Sequence, residues 1–379
     1  MTVTIFALIF GILLILSILL DSFESIILPR RVSRKFRLSR FFYITFWMLW
    51  SLLGRKLRAG NRREYYLSYF GPLSLILLLV VWAAVLVVGF ALVQFGLGSQ
   101  FSAPEKIVTF TTDLYLSGTT FITLGLGDVI PRAGLPRFVV VLEAGTGFAF
   151  LALIIGYVPV IYQAFSRREI NISLLDARAG SPPTAAEMLR RHCKAQNTTE
   201  MVEYLRDWER WCAELLESHL SYPVLTYYRS QHERQSWLAA LTTILDVCAL
   251  IMVVLDDIPV KPAKFVFAIA RHTAVDLAQT YGTPPSLTTK RLSQADFARL
   301  CALLVANGIA VCDGEDVERK LAELRGMYEP FVAALSKHLI MPLPDWMPAA
   351  DRVDDWETSA WDHFLESTPR TLDRAIRRD

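Results

Sequence analysis

Residues 108–131 read VTFTTDLYLSGTTFITLGLGDVIP, a short aromatic segment followed by a loop in which glycine and leucine alternate. Long apolar runs flank this stretch, Gly71 to Gly96 before it and about Leu135 to Ser166 after it. Each run is long enough to cross a bilayer, which takes about 20 residues. Irregular backbone at membrane depth is tolerated only where it lines a cavity. The order helix, short helix, loop, helix therefore predicts a pore.

The motif Thr123-Leu124-Gly125-Leu126-Gly127-Asp128 resembles the filter of the potassium-channel superfamily, which commonly reads TVGYGD. The resemblance covers about residues 71–166 and is sharpest from Ser117 to Pro131. It implies that backbone carbonyls replace the water around a potassium ion, and glycine allows the alternating backbone that this needs. The carbonyls belong to Thr123, Leu124, Gly125 and Leu126, and the Thr123 hydroxyl adds the innermost ligand. Because one chain supplies one wall, we expect a homotetramer with potassium ions in the filter and no organic cofactor.

Two features depart from the family pattern. Leu126 stands where relatives have a Tyr, so it offers no hydroxyl to anchor the filter from behind. Leu116 and Thr119 occupy positions where many relatives place a Trp and sometimes a Glu, which hydrogen-bond the filter and the residue equivalent to Asp128. A less tightly held filter discriminates potassium from sodium less well. A weakly selective monovalent cation channel is therefore the alternative.

The third apolar run carries the residues expected to gate the pore. The resemblance implies a bend at Gly145 to Gly147, and close packing against the second span is the alternative reading of these glycines. Pro159 resembles the proline bend of voltage-gated relatives, and the alternative is that it ends the membrane helix. The side chains expected to narrow the pore are Ile155, Val158 and Tyr162. Glu143 is an intramembrane carboxylate, for which we expect a partner behind the filter in a neighbouring subunit.

The chain is 53% apolar, above the usual share for a soluble protein, and the excess lies in the first 165 residues. Thr2 to Leu20 is uncharged and lacks a basic leader and a cleavage site, so we read it as a retained membrane anchor. From Ser25 to Arg63 there is no acidic residue. The block is basic instead: Arg30, Arg31, Arg34, Lys35, Arg37, Arg40, Arg55, Lys56, Arg58, Arg62 and Arg63. Such a block stays cytoplasmic, which places the N-terminus outside and everything after Ser166 inside.

Phe41 to Leu53 is apolar but spans only 13 residues, too few to cross a bilayer. Basic residues flank it on both sides, so segment 30–63 is predicted to lie against anionic lipid headgroups. A helix packed on the membrane domain itself is the other reading.

The second half of the chain reads as a helical cytosolic domain at 185–379, joined by a linker at 167–184. Helical spacing recurs at 236–256, 262–280, 293–309, 315–338 and 354–376. Trp237 to Leu255 is very apolar, but Asp246 in its middle favours a buried core helix over a fourth span. Five cysteines without a CxxC pair fit reduced thiols. The segment has no dinucleotide fingerprint, metal motif or nucleic-acid signature, so the gating ligand is not legible.

The predicted fold is an all-α membrane protein with a tetrameric potassium-channel-type pore, an N-terminal transmembrane helix and a C-terminal helical cytosolic domain. The predicted segments are an anchor (1–24), a basic interfacial segment (25–70), the pore domain (71–166), the linker and the cytosolic domain. The predicted function is a potassium channel of a bacterial inner membrane, not an enzyme. A membrane-anchored binding protein with a non-conducting motif is a further alternative.

Overall fold

A computed structural model describes residues 2–28, 37–104, 108–193, 198–232, 234–256, 258–286, 291–312 and 314–349. The chain divides into two compact units. The first comprises the chain up to Phe165 together with His219–Tyr228, and the second comprises Ser166–Ser218 and the chain from Arg229 onward. The basic residues at 30–35 and the helix predicted at 354–376 lie outside the described residues.

The N-terminal elements are helical apart from a two-residue antiparallel pair of strands. In chain order they are α1 (Thr2–Ser22), a π-helical turn (Phe23–Ile27), α2 (Leu38–Lys56), α3 (Asn61–Ser68), α4 (Phe70–Gly96), β1 (Phe101–Ser102), α5 (Phe110–Phe121), β2 (Ile130–Pro131) and α6 (Gly134–Ala179). Among the described residues, three stretches are long and apolar enough to cross a membrane: Thr2–Ile27, Asn61–Gly96 and Gly134–Ala179. The predicted set of three spans is therefore confirmed, and the chain is a membrane protein.

Helices α1 and α4 pack closely because glycines remove side chains from their interface. A Cβ added at Gly11 would lie 2.6 Å from the Gly89 carbonyl oxygen, and one at Gly96 would lie 2.7 Å from the Leu8 Cβ. Small residues let helix backbones approach in this way inside a membrane. The N-terminal helix is thus packed along the length of α4.

Asp21, at the end of α1, is buried and fixes the start of α2. Its carboxylate accepts hydrogen bonds from the Ser39 amide at 2.9 Å and from the Trp82 indole nitrogen at 2.9 Å. Arg37 also contacts it, with 3.4 Å between Nε and Oδ1. A buried charge is stable only when it is paired and hydrogen-bonded in this way. Asp21 therefore joins α1, α2 and α4.

One face of α2 packs against other residues of the first unit. The Trp47 and Phe70 ring centroids are 4.7 Å apart, and Trp50 stacks on Tyr66 at the same distance. Packing on the membrane domain, the second reading of this segment, is therefore correct for this face. The opposite face is apolar and exposed, and it includes Phe41, Ile44, Met48 and Leu52.

A short segment from the second half of the chain, His219–Tyr228, belongs to the first unit. It contains a 3₁₀ turn, Pro223–Tyr227. The Tyr227 ring centroid lies 4.9 Å from that of Trp47 and 5.0 Å from that of Phe70. Tyr228 packs so tightly on Gly71 that an added Cβ would lie 2.6 Å from its ring. This docking was not predicted from the sequence.

The third span continues further than predicted, because α6 is one helix from Gly134 to Ala179. The linker predicted at 167–184 is therefore wrong over most of its length, because it is helical up to Ala179 and only residues 180–183 form a turn. Pro159 lies inside α6, so the reading in which it ends the membrane helix is also wrong. Residues 171–179 contain no proline or glycine that would end the helix. The first such residue is Gly180, whose positive φ of 79° suits a helix end.

The helices that follow are α7 (Ala185–His192), α8 (Thr198–Ser221), α9 (Trp237–Val253), α10 (Val260–Thr280), α11 (Gln294–Ala306), α12 (Glu315–Gly326) and α13 (Glu329–Leu339). The segment of helical spacing at 315–338 thus forms two helices, α12 and α13. Helix α9 is buried along nearly all its length, which confirms the expectation of a core helix.

The charge inside α9 has a complete set of partners in the second unit. Asp246 accepts two hydrogen bonds from the Arg291 guanidinium, at 3.0 and 2.6 Å, and one from the Tyr328 hydroxyl at 2.6 Å. Burial raises the pKa of the Tyr328 hydroxyl well above its usual value, and the neighbouring Asp246 charge adds to the effect. The carboxylate that argued against a fourth span is therefore a buried, paired charge of a folded domain.

Candidate ion-selectivity filter

The loop after α5 is held by its amide groups. The amides of Leu124 and Gly125 donate to the Thr119 carbonyl at 2.8 and 3.2 Å, and the Thr123 amide donates to the Thr120 carbonyl at 2.9 Å. Their N–H groups are thus turned toward the end of α5. In the described part of the chain, no backbone N–H donates to a carbonyl of residues 123–127. These oxygens remain available to a ligand.

The backbone of the loop alternates in conformation. Positive φ angles occur at every second residue, with 59° at Thr123, 51° at Gly125 and 78° at Gly127. Such angles are accessible to glycine without cost, but a threonine there is strained by about 1–2 kcal/mol. The alternation is the arrangement that turns successive carbonyls to one side. It was predicted for the two glycines, and the structure extends it to Thr123.

Asp128, at the outer end of the motif, is anchored by a residue that the sequence analysis missed. The Tyr115 hydroxyl donates to the Asp128 carboxylate at 2.9 Å. At the two positions compared with relatives, Leu116 is buried, and the Thr119 hydroxyl donates to backbone carbonyls of its own helix. Anchoring at Asp128 is therefore present but comes from a neighbouring position on α5. The signal available in the sequence was the hydroxyl of Tyr115, one residue before Leu116.

Leu124 and Leu126 carry no such anchor. Both side chains are largely exposed in the single chain, and at Leu126 the exposed fraction is 62%. Leu126 has no hydroxyl, as noted from the sequence. In the single chain its exposed side chain therefore does not hold the loop in place. The filter wall is supported at its base by α5 and at its outer end by Tyr115.

Glu143 lies behind α5 and is fully buried in its own chain. The Ser117 hydroxyl is hydrogen-bonded to it, and the same hydroxyl lies 2.8 Å from the Val87 carbonyl oxygen. Within the single chain the hydrogen-bond partner of Glu143 is Ser117, and the partner expected in a neighbouring subunit stays a prediction. Glu143 thereby connects α6 to α5, and Ser117 connects α5 to α4.

The segment that leaves the filter is fixed by the two short strands. Phe101 pairs with Pro131, and Ser102 pairs with Ile130. The Arg132 guanidinium donates to the Ser102 hydroxyl at 2.7 Å, so the loop before α5 and the loop after the filter are joined. This contact sets where α6 begins.

The two glycines of the expected bend differ in their surroundings. A Cβ added at Gly147 would lie 1.9 Å from the Phe121 carbonyl oxygen, whereas one at Gly145 would meet nothing within 4 Å. Gly147 is thus a position of close helix packing. It packs against α5, whereas the packing alternative had placed it against the second span. Of the two, only Gly145 has space for an added side chain in the single chain.

The residues expected to narrow the pore lie on one face of α6. Ile155, Val158, Pro159 and Tyr162 recur at the spacing of helical neighbours, and all four are exposed in the single chain. The opposite face of α6 is packed. Tyr157 contacts Tyr222, and Phe165 contacts Tyr228.

Comparison with known proteins agrees with the motif. A family model described as an ion channel matches residues 76–163, which include most of α4, all of α5, the loop after it and α6 as far as residue 163. An uncharacterized membrane protein of Bacillus subtilis (strain 168), YdjJ, is 24% identical over 196 residues, covering 50% of this chain and 55% of the relative. The chain thus spans about half the length of the curated relative it matches. No solved structure matches the chain.

The apolar helices and the family match together indicate a membrane protein in which residues 76–163 match an ion-channel domain. The resemblance stated from the sequence is therefore confirmed at the level of the family. The loop that supplies the carbonyls lies in the middle of the matched region.

Proposed function

We propose that this chain is one subunit of a homotetrameric channel that passes potassium ions through the carbonyl oxygens of Thr123–Leu126. The observation that carries the proposal is the alternating positive φ at residues 123, 125 and 127, with the amides turned back to α5. Dehydrating a potassium ion requires several oxygens at once. One chain supplies a single row, so four rows around an axis complete the site.

The same proposal accounts for the exposed face of α6. In a tetramer, the face with Ile155, Val158, Pro159 and Tyr162 borders the conduction path below the filter. Apolar side chains at such a constriction exclude water and close the path. We place the gate there, with Gly145 as the position that allows α6 to bend.

The remaining expectations complete the proposal. The membrane is a bacterial inner membrane, with the N-terminus outside and the C-terminal unit in the cytoplasm, as the basic block favours. The C-terminal unit acts on the pore through α6, in response to a ligand that the sequence does not identify.

A weakly selective monovalent cation channel is the second candidate, and Leu126 favours it. Its largely exposed side chain has no hydrogen-bonding group to stiffen the filter from behind. Tyr115 holds only the outer end of the loop. The two candidates share a conduction path and differ in the sodium-to-potassium permeability ratio.

The test is ion flux through the purified full-length protein in liposomes, with potassium or sodium as the only cation. Gly125→Asp places a side chain at a positive φ inside the filter and blocks the ion path. Gly98→Asp is the matched control, because Gly98 also has a positive φ, of 89°, and lies outside the filter.

Potassium flux that disappears in Gly125→Asp and persists in Gly98→Asp supports the proposal. Equal sodium and potassium flux with the same dependence on Gly125 supports the weakly selective channel. A monomeric protein by light scattering would refute the tetrameric filter. Flux that Gly125→Asp leaves unchanged would place conduction elsewhere.

A further inference from the structure

The end of α2 and the start of α3 carry a group of exposed cations, Lys56, Arg58 and Arg62. No acidic residue occurs between Ser25 and Arg63. In the described part of the chain none of the three cations forms an ion pair, while the next acid, Glu64, lies 3.9 Å from Arg63. This cationic group is therefore available to an anion from outside the chain.

The adjoining helix offers an apolar surface. Phe41, Ile44, Met48 and Leu52 lie on one face of α2 and are each more than half exposed. The reverse face is held against the first unit by Trp47 and its neighbours. An exposed apolar stripe on a fixed helix with cations at its end is the pattern of a helix lying in the plane of a membrane surface.

The position of these residues along the chain agrees with this. Helix α3 leads directly into α4, and the hydrophobic span that contains both begins at Asn61. Tyr65 and Tyr69 are exposed beside the cations and are joined by a hydrogen bond of 2.6 Å between their hydroxyls. Exposed tyrosines mark the level of the lipid headgroups. The cations therefore lie at headgroup depth.

We propose that Lys56, Arg58 and Arg62 form a binding surface for the phosphate of an anionic phospholipid, whose acyl chains lie on the Phe41–Leu52 face of α2. Three cations without acidic partners favour a headgroup with net negative charge. A zwitterionic headgroup carries an ammonium that these cations repel. Because the reverse face of α2 packs on Phe70 and Tyr227, the bound lipid braces the start of α4. This inference does not rest on ion conduction.

The test is native mass spectrometry of the full-length protein in detergent, titrated with phosphatidylglycerol, phosphatidylcholine or glycerol 3-phosphate. The variant Lys56→Gln/Arg58→Gln/Arg62→Gln removes the surface. The matched control Lys261→Gln/Lys264→Gln/Lys320→Gln removes the same charge from exposed positions on α10 and α12. Thermal unfolding of both variants shows that each remains folded.

We expect phosphatidylglycerol to bind about tenfold more tightly than phosphatidylcholine, with the preference lost in the α2–α3 variant and at high salt and kept in the control. Equal binding of the two lipids would overturn the proposal, and so would equal loss in the two variants. Full displacement of phosphatidylglycerol by glycerol 3-phosphate would show a site for free phosphate esters and would refute a lipid surface.

Discussion

Replacing Gly147 by alanine tests whether this glycine is a packing position or a hinge. The added Cβ would lie 1.9 Å from the Phe121 carbonyl oxygen, 2.8 Å from its carbonyl carbon and 3.1 Å from its Cα. Ordinary carbon–oxygen contacts begin at about 3.3 Å. Helix α6 and the end of α5 must therefore separate by about 1.4 Å, a distance that follows from the same contact limit. Backbone atoms cannot rotate away as a flexible side chain can.

The expected effect follows from two opposing terms. Overpacking costs about 1–3 kcal/mol, and contact with backbone places this site at the upper end of the range. Alanine in place of glycine inside a helix returns about 1 kcal/mol. We expect Gly147→Ala to destabilise the protein by about 2 kcal/mol. Because Phe121 precedes the filter by two residues, potassium flux should fall as well.

Gly145→Ala is the control, since its Cβ meets nothing within 4 Å. This substitution has only the stabilising effect of replacing glycine by alanine inside a helix, so it should stabilise the protein by up to about 1 kcal/mol. The assay is thermal unfolding in nanodiscs together with potassium flux per protein. A Gly147→Ala protein as stable and as conductive as Gly145→Ala would refute the packing argument. A stable Gly145→Ala protein with changed flux would locate the bend at Gly145.

Three further substitutions test contacts elsewhere in the chain. Tyr115→Phe removes the hydrogen bond to the carboxylate of Asp128. Because the Tyr115 side chain is 39% exposed, we expect a loss of about 1 kcal/mol in the stability of the filter. The potassium-to-sodium permeability ratio, measured from reversal potentials, should be about fivefold lower. Asp246→Asn removes the closer counter-charge of the buried Arg291 and leaves it only the ion pair with Glu329 at 3.6 Å, which should destabilise the second unit by about 3 kcal/mol in thermal unfolding. Gly71→Ala forces a Cβ to within 2.6 Å of the Tyr228 ring, so segment 219–228 should exchange its amide hydrogens faster.

Each of these predictions has a matched control. Tyr69→Phe removes an exposed tyrosine hydroxyl remote from the filter, and an equal change in permeability ratio there would contradict the role of Tyr115. Asp316→Asn changes an exposed acid, and a similar loss of stability would contradict the argument from burial. Gly156→Ala adds a Cβ that meets nothing within 4 Å. Segment 219–228 should be as protected in Gly156→Ala as in the natural protein and less protected only in Gly71→Ala.

The filter shows how much of the site could be predicted from the sequence. Gly125 and Gly127 predicted an alternating backbone because glycine alone reaches positive φ freely. The third position of the alternation, Thr123, did not carry that signal, since threonine adopts such an angle only when its surroundings impose it. Leu116 and Thr119 lack the anchoring groups of relatives, which predicted a less tightly held filter, but Tyr115 hydrogen-bonds Asp128 instead. Sequence position alone does not show which α5 side chain points toward the filter exit.

The membrane helices show the same division. The three spans were read from long apolar runs, because crossing a bilayer depends on the length and hydropathy of each run by itself. The end of α6 was misplaced because Pro182 and Pro183 suggested a linker, whereas residues 171–179 contain no helix breaker and remain helical. Helix α9 was read as a core helix from one buried charge, Asp246, but its partner Arg291 was not identified.

Elements whose causes are local could therefore be predicted from the residues: three spans, a short helix, a glycine loop and a helical second half. Contacts between distant residues, such as Asp21 with Trp82 and Gly71 with Tyr228, became known only from the folded chain. The physical reason is that hydropathy and periodicity state whether a residue avoids water, not which residue it meets. Close packing and buried hydrogen bonds depend on both partners, and their meeting is fixed only when the whole chain has folded.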